Sequence, residues 1–184
     1  MYRERPSPKD RRKNRVFRAA SSRQASFMTT SFRIVGLPVQ PFVPLFELNE
    51  NELTKRGARR LIADKKPGFP CRVSLQDAEP GEAVILLPFA HHEVDSPYRA
   101  SGPIFVREAA DEVSLAPGEI PAVLPTRLLS MRGYDENGMM FSANVVEGRE
   151  IKAQIENCFA DPRINYIHLH NAGPGCYSCR VERV

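Results

Sequence analysis

Prolines and glycines interrupt this chain so often that it can build only short elements. The 184 residues include 16 prolines and 11 glycines, and both residue types break helices and central strands. Between these interruptions lie short runs rich in apolar and β-branched residues, the pattern that is typical of strands. We expect strands at residues 32–37, 58–64, 71–75, 83–89, 104–107, 127–134 and 139–146.

One helix stands out near the C-terminal end. Within residues 149–160, Ile151, Ile155, Cys158 and Phe159 recur at the spacing of a single apolar face. Many strands in succession with one solid helix predict an α+β fold with a mostly antiparallel sheet. We expect this sheet to tend to curl towards a barrel and the chain to end in a hairpin.

Positive charge is concentrated at the N-terminal end. The formal net charge is +4, but residues 1–27 carry nine Arg or Lys against two acidic residues, which leaves the remainder at −3. Charged segments with few apolar residues stay disordered. We therefore expect residues 1–30 to be a disordered basic tail and residues 31–184 a single globular domain. Nucleic acid would bind only through this tail. Because Met28 suits a natural start, residues 1–27 are expected to be an upstream extension.

Several classes of protein lack support in the sequence. There is no apolar run of the signal-peptide or membrane-span type, and four cysteines are too few for a disulfide scaffold. The glycine-rich nucleotide-binding, nucleophile-elbow and zinc-protease motifs are missing as well. We therefore expect a cytoplasmic protein with reduced thiols, no cofactor and no membrane partner.

The closing stretch YIHLHNAGPGCYSCRVERV predicts a hairpin with titratable side chains. If residues 166–170 pair with residues 176–180 in the simplest register, His170 faces Cys176 and His168 faces Ser178. Side chains alternate along a strand. One face would then carry Tyr166, His168, His170, Cys176, Ser178 and Arg180, and the other Ile167, Leu169, Tyr177, Cys179 and Val181. The first set is polar, and the second is expected to belong to the core.

Three interpretations of this hairpin stay open. His168, His170 and Cys176 would make an open metal site, but we favour no metal, and a Cys-x2-Cys zinc site is disfavoured because Cys179 points into the core. Cys176 would alternatively be a catalytic nucleophile with His170 as its base. In the third interpretation the histidines only form hydrogen bonds with their neighbours.

A second candidate region is the long proline-pinned segment at residues 90–103. Tyr98, Arg99 and Ser101 lie on it, and loops of this kind often hold binding sites. Arg99 would clamp a carboxylate or phosphate through two nitrogens, or Arg99 and Tyr98 would only anchor the loop on the body of the domain. His91 and His92 are interpreted as solvated loop residues.

Four long runs in this order resemble a known family. They are GARRLIADKKPGFPCRVSLQDAEPGE, SPYRASGPIFVRE, RLLSMRGYDENGMM and YIHLHNAGPGCYSCRVER. Over residues 32–184 the chain resembles the bacterial family called domain of unknown function 1203. The resemblance implies a small single-domain bacterial protein and brings no activity with it. A family stretch HxHNAxxGC is matched by His168, His170, Asn171, Ala172, Gly175 and Cys176, whereas the position of Cys179 is often a small residue there.

These observations lead to three functional hypotheses. The first is a domain that binds a small polar or anionic ligand through His168, His170, Asn171, Cys176, Tyr98, Arg99 and Ser101. The second is a thiol- or metal-dependent enzyme that uses the same residues, with Cys176 and His170 as catalytic candidates. The third is a non-catalytic structural or interaction domain.

Overall fold

The fold was analysed in a computed structural model that describes residues 31–184. The predictions for the basic tail therefore lie outside the described residues. Within residues 31–184 there are eight strands: β1 Phe32–Val35, β2 Arg59–Ile62, β3 Ala83–His92, β4 Ala100–Arg107, β5 Leu128–Tyr134, β6 Met140–Glu147, β7 Tyr166–Asn171 and β8 Tyr177–Arg183. The same residues form helices α1 Val43–Phe46, α2 Glu50–Lys55 and α3 Ile151–Phe159, with a 3-10 turn at Gly148–Glu150.

The strands form two open sheets. Five of them make a sheet in the order β1-β8-β7-β5-β6, and the other three make a sheet in the order β2-β3-β4. Every strand pair is antiparallel. The prediction of a mostly antiparallel α+β fold is confirmed, and no closed barrel forms in the described part of the chain.

The helix predicted at residues 149–160 packs on one face of the five-stranded sheet. Ile151, Ile155 and Phe159 are buried there with the inward-facing strand residues, while Cys158 is only partly buried beside the same cluster. The spacing of these residues is thus explained by one apolar face against a sheet. None of the helices in residues 31–184 is long and apolar enough to span a membrane.

The segment predicted as a strand at residues 71–75 is instead a buried loop. Cys71 makes one isolated bridge, to Phe105 of β4, and its N–H donates to the carbonyl of Gln76 over 2.8 Å. Leu75 has a φ of 50°, which side-chain-bearing residues rarely adopt and which lies outside the β region. The alternating apolar residues of this segment therefore reflect packing of a compact loop, which we call the 68–78 loop.

The register of the C-terminal hairpin differs from the predicted one. His168 lies opposite Arg180, and a bulge after the next pair then sets His170 opposite Tyr177. A bulge adds one residue to its strand and reverses the alternation of side chains beyond it. The predicted pairs of His168 with Ser178 and of His170 with Cys176 are therefore wrong.

The bulge decides which side chains of β8 reach the core. Cys179 and Val181 are buried with Ile167 and Leu169 in the core cluster, as predicted. Tyr177 was predicted on that core face but lies among the histidines of the opposite face. Cys176 precedes β8 and belongs to the loop between β7 and β8.

Candidate functional site

All four histidines of the chain meet where the two sheets touch. His91 and His92 end β3 of the three-stranded sheet, and His168 and His170 lie on β7 of the five-stranded sheet. The ring centroids of His92 and His168 are 4.9 Å apart, and those of His91 and His170 are 5.1 Å apart. The interpretation of His91 and His92 as solvated loop residues is wrong, because β3 runs through both and His92 is 3% exposed. We call this group the histidine cluster.

Tyrosine rings enclose the histidine cluster. The ring centroid of Tyr134 lies 4.3 Å from that of His92, and Tyr134 also stacks on Tyr166 with centroids 5.4 Å apart. Tyr177 stacks on His91, with centroids 5.1 Å apart and ring planes inclined by 17°. Aromatic contacts therefore join the two sheets across the cluster.

Both ring nitrogens of His92 and one ring nitrogen of His170 take part in hydrogen bonds. Nδ1 of His92 donates to the carbonyl of Tyr98 over 2.7 Å, and its Nε2 lies 2.8 Å from the hydroxyl of Tyr166. Nδ1 of His170 donates to the carbonyl of Gly175 over 3.0 Å. Since a backbone carbonyl only accepts, both Nδ1 atoms carry a proton.

Three ring nitrogens of the cluster are buried without a hydrogen-bond partner among residues 31–184. They are Nδ1 of His91, Nδ1 of His168 and Nε2 of His170. Buried polar atoms without a partner are rare, and a bound water or ligand is the usual explanation. The cluster therefore has spare hydrogen-bonding capacity.

Burial keeps these imidazoles uncharged at neutral pH. It lowers the pKa of His168 to about 2 and the pKa of His170 to about 4. It also lowers the pKa of His91. The other histidines of the cluster act in the same direction, because one imidazolium disfavours the formation of another nearby.

Uncharged imidazoles with free nitrogens are ligands that transition metals prefer. However, the proposed set of His168, His170 and Cys176 is not brought together. Cys176 lines a separate cavity beside Arg72, and in residues 31–184 no three His, Cys, Asp or Glu side chains are arranged to hold a metal ion.

We expect protein purified without chelator to contain well under one zinc per chain by elemental analysis. The donors found in the cluster are not arranged around a common point, and four such donors are the norm for a structural zinc. Stoichiometric zinc that disappears in His168→Gln or His170→Gln but persists in His92→Gln would contradict this expectation, because both nitrogens of His92 already have partners.

A cavity of about 490 Å³ opens beside the β7–β8 loop. It is lined by the 68–78 loop, β4, the start of β5 and the β7–β8 loop, through Gly68, Pro70, Arg72, Phe105, Arg127, Leu128, Asn171, Gly173, Pro174 and Cys176. Its volume lies in the range of small-molecule pockets. We call it the Arg72 cavity.

Arg72 is a buried cation with no carboxylate partner among residues 31–184. Its side chain is held by two backbone carbonyls: Nε donates to Tyr177 over 2.8 Å, and Nη1 donates to Pro70. Arg72 is 3% exposed, and this burial lowers its pKa to about 10. The carbonyls accept two of the five N–H groups but do not neutralise the charge, and Nη2 has no acceptor in the described part of the chain.

The other arginine of the cavity is neutralised. Nη2 of Arg127 lies 2.7 Å and 2.8 Å from the two carboxylate oxygens of Asp77, which is itself buried. None of the residues that line the cavity is acidic. The charge that the cavity presents to a ligand is therefore that of Arg72.

The end of β7 and the loop that follows it add an amide and a thiol to the Arg72 cavity. Oδ1 of Asn171 is buried without a partner among the described residues. Cys176 is half-buried, with its Sγ 3.9 Å from the carbonyl of Pro174. Asn171 and Cys176 thus line the cavity, whereas the predicted companions His168 and His170 lie in the histidine cluster.

The segment with Tyr98, Arg99 and Ser101 does not join that cavity. Tyr98 contacts the histidine cluster through its carbonyl and through a ring 6.3 Å from Tyr134. Arg99 is exposed, and its Nε donates to the carbonyl of Val94 over 3.0 Å. Ser101 lies exposed on β4. The predicted single pocket of loop and hairpin residues is therefore divided between several places.

Sequence reasoning missed Arg72 as a candidate. It lies between Cys71 and Val73 in a run that we interpreted as a strand, where an arginine between apolar residues would face solvent. The one usable signal is the density of prolines and glycine around this run, which is typical of a loop as much as of a strand end.

Comparison with known proteins identifies the family. A family model described as "Protein of unknown function (DUF1203)" matches residues 68–183, and the chain belongs to this family. The matched region contains the histidine cluster and the whole lining of the Arg72 cavity. No curated protein and no solved structure matches the chain.

Proposed function

We propose that this DUF1203 protein binds a small anionic ligand in the Arg72 cavity. The observation that supports the proposal most is the buried guanidinium of Arg72, which has no carboxylate partner in residues 31–184. A buried charge loses several kcal/mol of hydration unless an opposite charge compensates it. An anion bound in the cavity would supply that compensation.

The neighbouring arginine supports this interpretation by contrast. Arg127 reaches the same cavity, but Asp77 binds it through both carboxylate oxygens. Direct pairing with an opposite charge is the usual arrangement for an arginine away from solvent. Arg72 lacks such a pair, which is the pattern expected of a binding residue and not of a structural one.

The half-buried Cys176 provides a way to detect occupancy. We expect acetate to slow the alkylation of Cys176 by iodoacetamide and to raise the melting temperature, because bound ligand covers the cavity wall and stabilises the folded state. Acetamide has the same shape without the charge and should do neither at equal ionic strength. Alkylation is followed at each cysteine by peptide mass spectrometry.

Two arginine variants test whether the effect of acetate depends on Arg72. Arg72→Met, which keeps an apolar stem of similar length, should abolish the effect of acetate. Arg99→Gln should retain it, since Arg99 is exposed and lies outside the cavity. Equal effects of acetate and acetamide on the wild-type protein would refute the proposal whether or not Arg72→Met folds.

A thiol-dependent enzyme is the second candidate function. It is favoured by the position of Cys176, which lines the same cavity as the cation of Arg72. The predicted base, His170, is not paired with Cys176, and its Nδ1 is engaged by Gly175. Catalysis would therefore need a base from the ligand or from water. Binding without turnover remains the simpler function for this arrangement.

A further inference from the structure

We infer that the anion of the Arg72 cavity is a hydroxy monocarboxylate with an apolar body, an inference that rests on the function proposed above. Charge, the apolar wall and an unpaired amide each restrict the ligand. They are independent features of the cavity.

The charge of the cavity suits a single carboxylate. Nε and Nη1 of Arg72 donate one N–H each to the carbonyls of Tyr177 and Pro70, which leaves the second N–H of Nη1 and both of Nη2 for a ligand. Arg127 is occupied by Asp77. A phosphate dianion carries two negative charges, one more than Arg72 compensates. The single uncompensated charge of Arg72 matches one negative charge.

The remaining wall of the cavity is largely apolar. Pro70, Phe105, Leu128 and Pro174 line it together with the polar groups. An inorganic anion would leave these side chains in contact with water, whereas a hydrocarbon or aromatic body would remove their surface and its own from water. The carboxylate is therefore expected to carry an apolar substituent that fills the cavity.

The amide of Asn171 indicates a hydroxyl group on the ligand. Its Oδ1 is buried without a partner among residues 31–184, and the residue is 9% exposed. A hydroxyl both donates and accepts, so it satisfies either orientation of an asparagine amide. An ammonium group only donates and carries a charge, and no acidic residue lines the cavity to pair with it.

Five probes test these three features in the wild-type protein at equal ionic strength. They are phenyllactate, phenylpropionate, phenyllactamide, phenylalanine and acetate, and protection of Cys176 from iodoacetamide reports binding. We expect phenyllactate to protect at a concentration about tenfold or more below acetate, because its ring is buried. Phenyllactate should also protect at a concentration about threefold or more below that of phenylpropionate, because its hydroxyl reaches Asn171. Phenyllactamide and phenylalanine should protect weakly.

The variant Asn171→Leu isolates the amide. It should bind phenyllactate and phenylpropionate equally, because it offers no hydrogen bond to the hydroxyl. Arg99→Gln serves as the matched surface control and should keep the wild-type preference. Alkylation of Cys158 is the internal control, since it lines a different cavity with Met131 and Ile164 and should not respond to any probe.

Each outcome separates the inference from the function on which it rests. If acetate protects Cys176 as well as phenyllactate does, the ligand class is wrong while anion binding stands. The same conclusion follows if phenylalanine protects Cys176 better than phenyllactate does. If Asn171→Leu keeps the preference for phenyllactate, the role of the amide is wrong. If none of the carboxylates protects Cys176 better than phenyllactamide, both the ligand class and the proposed function fail.

Discussion

Lowering the pH from 6.5 to 5 should destabilise the folded protein, with a slope that approaches about 1.4 kcal/mol per pH unit for each of His168 and His170. Histidines of the unfolded chain take up protons near pH 6.5, whereas burial holds the pKa of His170 at about 4 and that of His168 at about 2. Between these values the unfolded state binds more protons than the folded state. Stability is therefore complete above pH 6.5 and is lost as the pH falls.

The total effect of this acid destabilisation is large. His170 by itself should contribute about 3 kcal/mol between pH 6.5 and pH 4, because one pKa unit corresponds to 1.36 kcal/mol. His168 destabilises the folded state in the same direction, and its effect continues to increase below pH 4. A small domain has only about 5–15 kcal/mol of stability in total. Acid unfolding should thus begin above the range in which most carboxylates take up protons.

Urea unfolding curves at pH 7, 6.5, 6, 5.5 and 5 measure this slope as a change in the free energy of unfolding. In the double variant His168→Gln with His170→Gln, most of this dependence of the free energy of unfolding on pH should disappear. If that variant does not fold, the NMR titration of the imidazole Cε1 protons gives the same information in the native protein. A free energy of unfolding that stays constant from pH 6.5 to 5 would show that the cluster is not buried as described.

Cys176 and Cys179 should behave oppositely towards an alkylating reagent, although they are three residues apart. Cys179 is 1% exposed, and burial raises the pKa of its thiol to about 12. It should therefore react only through unfolding, about a thousandfold or more slower than in the denatured chain. Cys176 lines a cavity and should react in the native state. Peptide mass spectrometry after timed alkylation separates them from Cys71 and Cys158.

Replacement of the two thiols should have unequal effects on stability. Cys179→Ser places a hydroxyl in the core beside Ile167 and Leu169 and should lower the free energy of unfolding by about 1–3 kcal/mol. Cys176→Ser is the matched control and should leave it nearly unchanged. Equal native reactivity of Cys176 and Cys179 would contradict the register, and an inert Cys176 would favour the non-catalytic structural interpretation of the hairpin.

Local patterns predicted most elements correctly because those elements depend on neighbouring residues. The α3 stripe of Ile151, Ile155 and Phe159 needs only an apolar surface to pack against. At the start of α2, Asn49 and Glu52 form a capping box within four residues. The alternation in β7 placed Ile167 and Leu169 in the core. Each of these features follows from one repeat length or one short-range hydrogen bond.

The candidate sites needed contacts between residues that are far apart in the chain. His91 joins His168 and His170 because the end of β3 crosses the face of β7, and no pattern near residue 91 signals that crossing. Arg72 reaches the carbonyl of Tyr177, 105 residues away in the chain. An unpartnered buried charge becomes visible only when every surrounding residue is placed.

The amino-acid sequence by itself determined the antiparallel α+β class, the position of the main helix and the burial of Cys179, since periodicity and turn residues act over short distances. Only the tertiary structure decided the bulge that moves Tyr177 to the histidines and leaves Cys176 at the Arg72 cavity. A one-residue change of register reverses every side chain beyond it. That choice depends on how well one face of the hairpin packs against α3 and the other against the end of β3, which is a property of the whole fold.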